Sequence, residues 1–260
     1  MNQPLAYVHP GAKIAKNVVI EPFSTVHNNV QIGQGSWIGS NVTIMEGARI
    51  GKNVSIFPGA VISAIPQDKK FDDEDTITQI GDNTTIRECV TINRGTKDRD
   101  KTVIGNDCWI MAYSHIAHDC IVGDNCIFSN NSTLAGHITV GHHVVLAGMT
   151  AVQQFCSIGK HAFITGGSLV RKDVPPYVKA AREPLSFVGI NSIGLRRRGF
   201  DTDKIKEIQN IYRFLFQKNY NNSQAVAIIE AEMEATPERD EILEFIKSSQ
   251  RGIMKGYFTT

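Results

Sequence analysis

The sequence predicts a mainly β protein, a parallel β-helix of hexapeptide repeats followed by a C-terminal α-helical domain. A hydrophobic residue recurs at every sixth position through most of residues 8–170, and amphipathic helical patterns begin only after residue 200. A period of six fits neither a helical face, which repeats at about 3.6, nor a strand, which alternates at about two. It fits a solenoid in which three short strands form one triangular coil.

The repeat hydrophobes stay in phase across two interruptions of the pattern. They are Val8, Ile14, Ile20, Val26, Ile32, Ile38, Ile44, Ile50, Ile56 and Ile62, then Ile80, Ile86 and Ile92, then Ile104, Ile110, Ile116, Val122, Phe128, Leu134, Val140, Leu146, Val152, Ile158, Ile164 and Val170. Because three hexapeptides close one coil, residues 18 apart are expected to stand one above another. Which side chains lie close together can therefore be predicted from residue numbers.

Two further positions of the repeat support this fold. The third residue after the hydrophobe is often Gly or Asn, which accept left-handed backbone angles at corners most readily; examples are Gly11, Asn17, Asn29, Gly35, Asn41, Gly47 and Asn53. The fourth residue is small, so we expect it to point into the narrow interior of the coil. Four cysteines occupy this fourth position and are predicted to be small buried residues: Cys108, Cys120, Cys126 and Cys156. A disulfide framework or a zinc cluster is the less favoured alternative, because no CxxC spacing is present.

The β-helix is predicted over residues 1–176, with loops at 63–79 and 97–102 that keep the count a multiple of six. Long loops on a rigid solenoid often carry function. Pro175 and Pro176 are expected to end the ladder of strands.

An irregular connecting strap, 177–200, and a helical domain, 201–260, are predicted to follow. Asp201, Ser223 and Thr236 are the predicted N-caps of three helices. This helical domain is expected to cover the open end of the coil stack.

Charge and hydropathy exclude several classes of protein. The formal net charge of +1 gives no sign of a nucleic acid partner or of an anionic membrane surface. No apolar run approaches the ~20 residues that a membrane span needs. The N-terminal segment lacks the layout of a secretory signal. A cytoplasmic protein is the expectation.

Histidines concentrate between residues 115 and 161, which contain six of the eight. Gly136 follows His118 by 18 residues, so an imidazole and an exposed backbone amide are expected on one edge of neighbouring coils. Acyl transfer needs such a pair, because a base must take the proton of the attacking hydroxyl and a donor must hold the oxyanion. Asp119 would orient the ring or stabilise the imidazolium.

Two other interpretations of these histidines stay open. His118, His137 and His142 with a water molecule would make a catalytic zinc site, as in a β-helical carbonic anhydrase. A β-helical scaffold without catalytic activity is the second. A surface row of unusual side chains on one face also predicts a contact between subunits; the row consists of Tyr113, His115, His118, Asn131, His137 and Met149.

Five segments make the sequence resemble one family closely. They are HIAHDC (115–120), NNSTLAGH (130–137), GMTAVQQF (148–155), DVPPYV (173–178) and NSIGLRRRGF (191–200). They resemble the UDP-N-acetylglucosamine acyltransferase family of lipid A biosynthesis in bacteria, and the similarity extends over nearly the whole chain. The resemblance implies a left-handed β-helix and a homotrimer with active sites between subunits.

The resemblance also implies an activity, its partners and the roles of residues. An (R)-3-hydroxyacyl group would pass from acyl carrier protein to the 3-hydroxyl of UDP-N-acetylglucosamine without a cofactor or metal. His118 resembles the general base, Asp119 its partner and Gly136 the oxyanion donor. Residues that resemble substrate contacts are Asp68, His137 and Gln154 at the sugar, Lys70 near the phosphate or the carrier, His115 in the site, and Asn191, Arg197 and Arg198 at the nucleotide.

Some residues depart from the family pattern or bear on specificity. Asn93 and Gln153 stand where many members have His, and Ile193 replaces a common Glu. Gly166 falls in the region that forms the acyl-chain groove, and its small size predicts room for a long chain. An N-acyltransferase of the same pathway and an acetyl-CoA-dependent hexapeptide transferase are the alternative enzymes.

Overall fold

The computed structural model describes residues 4–217 and 220–256. The start of the predicted β-helix, at residue 1, and the end of the predicted helical domain, at residue 260, lie outside the described residues. Within this part the protein is a left-handed parallel β-helix followed by α-helices, as predicted. Its short strands form three sheets, which we call faces 1, 2 and 3 of a triangular prism. The edge between two faces carries the numbers of both, as in edge 1–2.

The strands are numbered along the chain and described face by face. Face 1 consists of β1 (Tyr7–Val8), β4 (Thr25–Val26), β7 (Thr43–Ile44), β10 (Val61–Ala64), β13 (Thr91–Asn93), β16 (His115–Ile116), β19 (Thr133–Leu134), β22 (Ala151–Val152) and β25 (Leu169–Val170). Face 2 consists of β2 (Lys13–Ile14), β5 (Gln31–Ile32), β8 (Ala48–Ile50), β11 (Ile77–Ile80), β14 (Lys101–Ile104), β17 (Ile121–Val122), β20 (Thr139–Val140) and β23 (Ser157–Ile158). Face 3 consists of β3 (Val19–Ile20), β6 (Trp37–Ile38), β9 (Ser55–Ile56), β12 (Thr85–Ile86), β15 (Trp109–Ile110), β18 (Ile127–Phe128), β21 (Val145–Leu146), β24 (Phe163–Ile164), β26 (Val178–Ala181), β27 (Ser186–Ile190) and β28 (Lys255–Gly256).

The repeat hydrophobes form the core of the prism, as predicted. Ile38, Ile86 and Ile110 are fully buried, and the four cysteines of the small position are at most 2% exposed. Each repeat hydrophobe pairs with the one a coil away, as Ile110 does with Phe128. All five cysteines are free thiols.

The corners adopt the predicted backbone conformation, with φ of 57° at Asn17 and 80° at Gly47. Gly11 differs, because its φ is not positive. Its N–H donates to Nδ1 of His9.

Two loops leave the prism on edge 1–2. The first spans 65–76, between β10 and β11, and the second spans 94–100, between β13 and β14. Their bounds differ from the predicted 63–79 and 97–102. The reason is that the ends of the loops pair with each other as strands, Ile77 with Lys101 and Thr78 with Thr102.

The segment 177–200, expected to be irregular, has regular structure. It forms the antiparallel pair β26–β27 and a short helix, α1 (Ser192–Arg197). The ladder also continues past Pro175 and Pro176, because Lys179 and Ala180 pair with β24. The expectation that the prolines end the ladder was wrong.

Three longer helices follow, α2 (Thr202–Gln217), α3 (Asn222–Glu232) and α4 (Pro237–Ser248). Asp201 and Thr236 accept backbone N–H groups of α2 and α4, as predicted. The predicted cap Ser223 was wrong, since Asn221 caps α3 in a reciprocal capping box with Gln224.

The helices close the last coil of the prism. Tyr212 donates to the carbonyl of Pro176 at 2.6 Å, and Ile253 bridges to Asp173. Among the described residues, no helix is long and apolar enough to cross a bilayer.

Candidate active site

The candidate catalytic residues stand on edge 1–2, where the chain passes from face 1 to face 2. His118, Gly136 and Gln154 belong to three successive coils and are 18 positions apart. Each is the second residue after a repeat hydrophobe. Asp119 and His137 occupy the third position and have positive φ, 59° and 62°. The left-handed corner turns these two side chains out of the alternation of an ordinary strand.

His118 and Asp119 form a buried pair. Nδ1 of His118 lies 2.8 Å from Oδ2 of Asp119, and the two side chains are 8% and 0% exposed. Burial alone would raise the pKa of Asp119. Hydrogen bonds from His118 and Thr96, with the charge of His137, outweigh burial and hold that pKa below its ordinary value.

The second loop holds Asp119 from three sides. The N–H of Thr96 lies 2.9 Å from Oδ1, and the Thr96 hydroxyl lies 2.7 Å from Oδ2. Arg99 donates to the carbonyl of Asp119 at 2.9 Å. Thr102, just after the loop, accepts the N–H of Asp119.

The roles of these loop residues were missed in the sequence. The phase of the repeat would have placed their loop near His118, although it does not identify the individual side chains. Ile92 and Ile116 belong to the same face, so a loop that follows Ile92 emerges on edge 1–2 one coil away from His118.

Gly136 lies directly against the imidazole of His118. A Cβ placed on Gly136 would come within 2.6 Å of Cε1 and 2.7 Å of Nε2 of that ring. The predicted proximity of His118 and Gly136 is thus present in the structure.

The N–H of Gly136 is free for a ligand because of its position in the repeat. The second residue after the hydrophobe does not donate to the ladder, which is why Pro10, Pro22 and Pro58 are accepted there. On edge 2–3 a side chain of the next coil takes the equivalent N–H, as Oδ1 of Asp82 does from Lys52 at 2.7 Å. The hydrogen bonds of the described chain give the N–H of Gly136 no such acceptor.

His137 completes the ring cluster on this edge. Nδ1 of His137 lies 2.9 Å from Oδ2 of Asp98. The angle at Nδ1 is unsuitable for a hydrogen bond, so this contact is an ion-pair distance only. Nε2 lies 3.7 Å from Oδ2 of Asp119. The ring stacks on Phe155 at 4.7 Å and meets His118 edge to face at 5.0 Å. Phe155 is another residue that sequence reasoning missed.

His115 lies on face 1 beside this edge. Its Nδ1 is 2.7 Å from the hydroxyl of Thr91. Burial, and then the charge of His118, lowers the pKa of His115 below its ordinary value. The ring is therefore held neutral next to the candidate base.

The first loop places Asp68 and Lys70 on the same edge, in an earlier coil. Lys70 is exposed, and its N–H donates to Oδ1 of Asp68 at 3.0 Å. Asn93, one of the departures from the family pattern, anchors the loop by donating to the carbonyl of Ile65. In the described part of the chain, neither Asp68 nor Lys70 forms a hydrogen bond or an ion pair with His118.

The candidate nucleotide residues lie elsewhere, over face 3. Asn191 is 9% exposed, caps α1 and donates to the carbonyl of His161, so its side chain shapes the backbone here. Arg197 and Arg198 line a cavity of about 720 Å³ on this face, together with Ile193. Within one chain, the structure does not bring these residues to His118.

Gly166 also lies away from His118, on edge 3–1 after β24. The position is narrow, since a Cβ there would be 3.1 Å from the carbonyl oxygen of Gly148. Gln154 is half-buried and Gln153 exposed on edge 1–2.

Three side chains of the site could hold a metal ion. His118, Asp119 and His137 each offer one ligand atom, all within 4.8 Å of one another. The zinc hypothesis named His142 as well, and this was wrong. His142 stands on edge 2–3, where its Nδ1 accepts the N–H of Asp124.

Two family models match the chain. "Bacterial transferase hexapeptide (six repeats)" matches residues 29–64 and 101–136. "Udp N-acetylglucosamine O-acyltransferase; Domain 2" matches residues 173–254. The first covers the coils that carry His118 and Gly136, and the second covers the helical region.

Curated relatives and solved structures agree with these models. The chain is 55% identical to the acyl-[acyl-carrier-protein]–UDP-N-acetylglucosamine O-acyltransferase of Chlorobaculum parvum, over 96% of this chain and 95% of the relative. The structure of the UDP-N-acetylglucosamine acyltransferase from Bacteroides fragilis superimposes with a TM-score of 0.97 at 47% identity, covering 98% of this chain and 100% of the other. The enzyme from Francisella novicida gives 0.95 at 39% identity, over 98% and 94%.

These identities extend over both the coils that form edge 1–2 and the helices that close the prism. The chain belongs to the acyl-[acyl-carrier-protein]–UDP-N-acetylglucosamine O-acyltransferase family.

Proposed function

We propose that the protein transfers an (R)-3-hydroxyacyl group from acyl carrier protein to the 3-hydroxyl of UDP-N-acetylglucosamine, the first step of lipid A biosynthesis. The observation that carries the proposal is the buried His118–Asp119 pair set against Gly136, whose N–H is free. A base and an oxyanion donor side by side are what acyl transfer to a hydroxyl requires. Family membership supports the two substrates.

The reaction follows from this arrangement. Nε2 of His118 takes the proton of the sugar hydroxyl as its oxygen attacks the thioester carbonyl. The N–H of Gly136 holds the oxyanion of the tetrahedral intermediate. The intermediate collapses, the C–S bond breaks, and the thiolate of the carrier takes the proton back from His118. An ester and a free thiol are the products.

The separation of the candidate residues supports a homotrimer. The base stands on edge 1–2, whereas Arg198 and Gly166 stand over face 3 and on edge 3–1. A closed cyclic trimer would bring edge 1–2 of one subunit to face 3 of the next. Apolar side chains on face 3 and edge 3–1 are available for such a contact, since Trp109 is 46%, Tyr113 63% and Met149 69% exposed.

We place the reaction in the cytoplasm. The five free thiols fit a reducing compartment.

A transfer assay with UDP-N-acetylglucosamine and a series of 3-hydroxyacyl carrier proteins tests the activity. His118→Ala should lower kcat by about 10²- to 10⁴-fold, since it removes the base. His27→Ala is the matched control, because His27 stands on the same edge in an early coil. Full activity of the His118 variant, or transfer only from acetyl-CoA, would contradict the proposal.

Mixed oligomers test the trimer. Subunits with His118→Ala and subunits with Arg198→Ala, each inactive alone, are unfolded together and refolded. If each site uses His118 of one subunit and Arg198 of the next, every mixed trimer has one intact site out of its three. In an equal mixture about three quarters of the trimers are mixed, so about a quarter of the wild-type activity should return. No recovery from mixtures whose trimeric mass is confirmed by light scattering would contradict a shared site.

A further inference from the structure

We infer that Thr96 is a positioning residue that fixes Asp119 as an acceptor and so selects the His118 tautomer with the lone pair on Nε2. The inference rests on the proposed function, in which His118 is the base. Thr96 belongs to the second loop, which the repeat pattern leaves without any assigned role.

Both carboxylate oxygens of Asp119 receive hydrogen bonds from Thr96. Oδ1 lies 2.9 Å from its backbone N–H, and a backbone N–H can only donate. Oδ2 lies 2.7 Å from its hydroxyl and 2.8 Å from Nδ1 of His118. A proton on Oδ1 would point at another donor, so Oδ1 has to be an acceptor.

The hydroxyl of Thr96 has a defined direction as well. The N–H of Asp98 donates to Oγ1 of Thr96 at 3.3 Å. The hydroxyl proton is therefore left for Oδ2 of Asp119. A chain of donors runs from Asp98 through Thr96 to the carboxylate.

The tautomer of His118 follows from this direction once the carboxylate is ionised. An ionised Oδ2 accepts from Thr96 and has no proton to donate, so the bond with His118 needs a proton on Nδ1. A neutral imidazole has only one N–H, so the lone pair is on Nε2. Nε2 belongs to the part of the ring that lies against Gly136, where the proposed reaction takes place.

The charged groups around Asp119 agree with an ionised carboxylate. Nε2 of His137 lies 3.7 Å from Oδ2, and the guanidinium of Arg99 reaches the carbonyl of Asp119. Asp98 is the opposing charge, but it faces His137 and is 63% exposed at its side chain. The pKa of Asp119 is lowered despite burial, with His118 and Thr96 as the leading causes.

Two substitutions of Thr96 test the inference. Thr96→Val keeps the shape and removes the hydroxyl, whereas Thr96→Ser keeps the hydroxyl. We expect Thr96→Val to lower kcat by about 10- to 100-fold with KM for the sugar nucleotide changed by less than about threefold. Thr96→Ser should stay within about threefold of the wild type.

The separation of kcat from KM and the rescue by serine are readouts that a purely structural role would not produce. An unchanged kcat in Thr96→Val, or a serine variant as slow as the valine variant, would overturn the inference.

A spectrum of the wild-type protein decides the tautomer without any variant of Thr96. Long-range ¹H–¹⁵N correlation on histidine-labelled protein distinguishes a protonated Nδ1 from a protonated Nε2. The His118 signal is assigned by its loss in His118→Gln. A protonated Nε2 at neutral pH would overturn the inference, whereas absence of transfer activity in the wild type would overturn the proposed function alone.

Discussion

The imidazole of His118 covers Gly136 so closely that no side chain fits between them: a Cβ on Gly136 would be 2.6 Å from Cε1 of the ring. The same contact keeps the free N–H of Gly136 beside the candidate base. One glycine therefore serves two requirements, space for the ring and a donor for the oxyanion. The two residues are a single unit of the site.

Gly136→Ala tests this relationship. The added methyl group would displace the imidazole while the backbone N–H stays, and a shift of about 1 Å can cost about 100-fold in rate. We expect kcat/KM in the transfer assay to fall by that order, with the protein still folded.

The control for stability is Gly148→Ala, which lies in the same position of the repeat on edge 3–1. A Cβ there meets only the carbonyl oxygen of Asn130, at 3.4 Å. Its melting temperature should match the wild type. An undiminished rate in Gly136→Ala would mean that the ring has no fixed position against this residue.

Much of edge 1–2 could be predicted from the sequence because stacking follows a count of residues. The spacing of 18 between His118 and Gly136 gives their proximity without any knowledge of side-chain contacts. Thr96 could not be found in this way, since the loop follows no period and its direction depends on contacts across the chain.

Two errors have physical causes in the backbone. Pro176 is the second residue after Val174, so it stands where the ladder uses no N–H and does not end the ladder. The pairing of β26 with β27 has no period of six, so the repeat gave no sign of it. Here the antiparallel pair and β28 extend face 3 beyond the last coil.

The cap of α3, which was predicted wrongly, offers a further test. Asn221 accepts the N–H of Gln224 at 2.9 Å, and Gln224 accepts the N–H of Asn221 in return. Asn221→Ala should lower the free energy of unfolding by about 1 kcal/mol.

Ser223→Ala is the matched control, because Ser223 lies inside α3. It should leave stability within about 0.5 kcal/mol of the wild type. Urea unfolding of the two variants measures both values, and a larger loss for Ser223→Ala would restore the cap that the sequence predicted.

The narrow position of Gly166 predicts an effect on acyl-chain preference. We propose that it lines the groove for the acyl chain, so Gly166→Met should shorten the preferred chain by filling the groove. The preference is measured with carrier proteins loaded with 3-hydroxyacyl groups of increasing length. Gly166→Ala should have a smaller effect in the same direction, and an unchanged preference in both variants would exclude this residue from the groove.

A second histidine cluster, on edge 2–3, predicts how stability depends on pH. His161 is 7% exposed and stacks between His143 at 4.8 Å and Tyr177 at 5.6 Å. Burial, followed by the charges of His143 and Arg198, lowers the pKa of His161 to about 3. In the unfolded chain a histidine has a pKa of about 6.5.

The sign of the effect follows from these two values. Above about pH 6.5 neither state binds the proton, and the stability from burying a neutral ring is fully present. As the pH falls from about 6.5 toward about 3, the unfolded state binds a proton that the folded state resists, and the free energy of unfolding decreases.

His161→Phe keeps a stacked ring at this position and removes the titrating group. Between about pH 8 and about pH 5, the variant should lose about 1–2 kcal/mol less of its free energy of unfolding than the wild type. Urea unfolding at both pH values measures this difference, and the values at the higher pH separate it from any change in packing. Equal losses in the two proteins would mean that His161 accepts a proton in the folded state, and the stack with Tyr177 would then have to tolerate a buried charge.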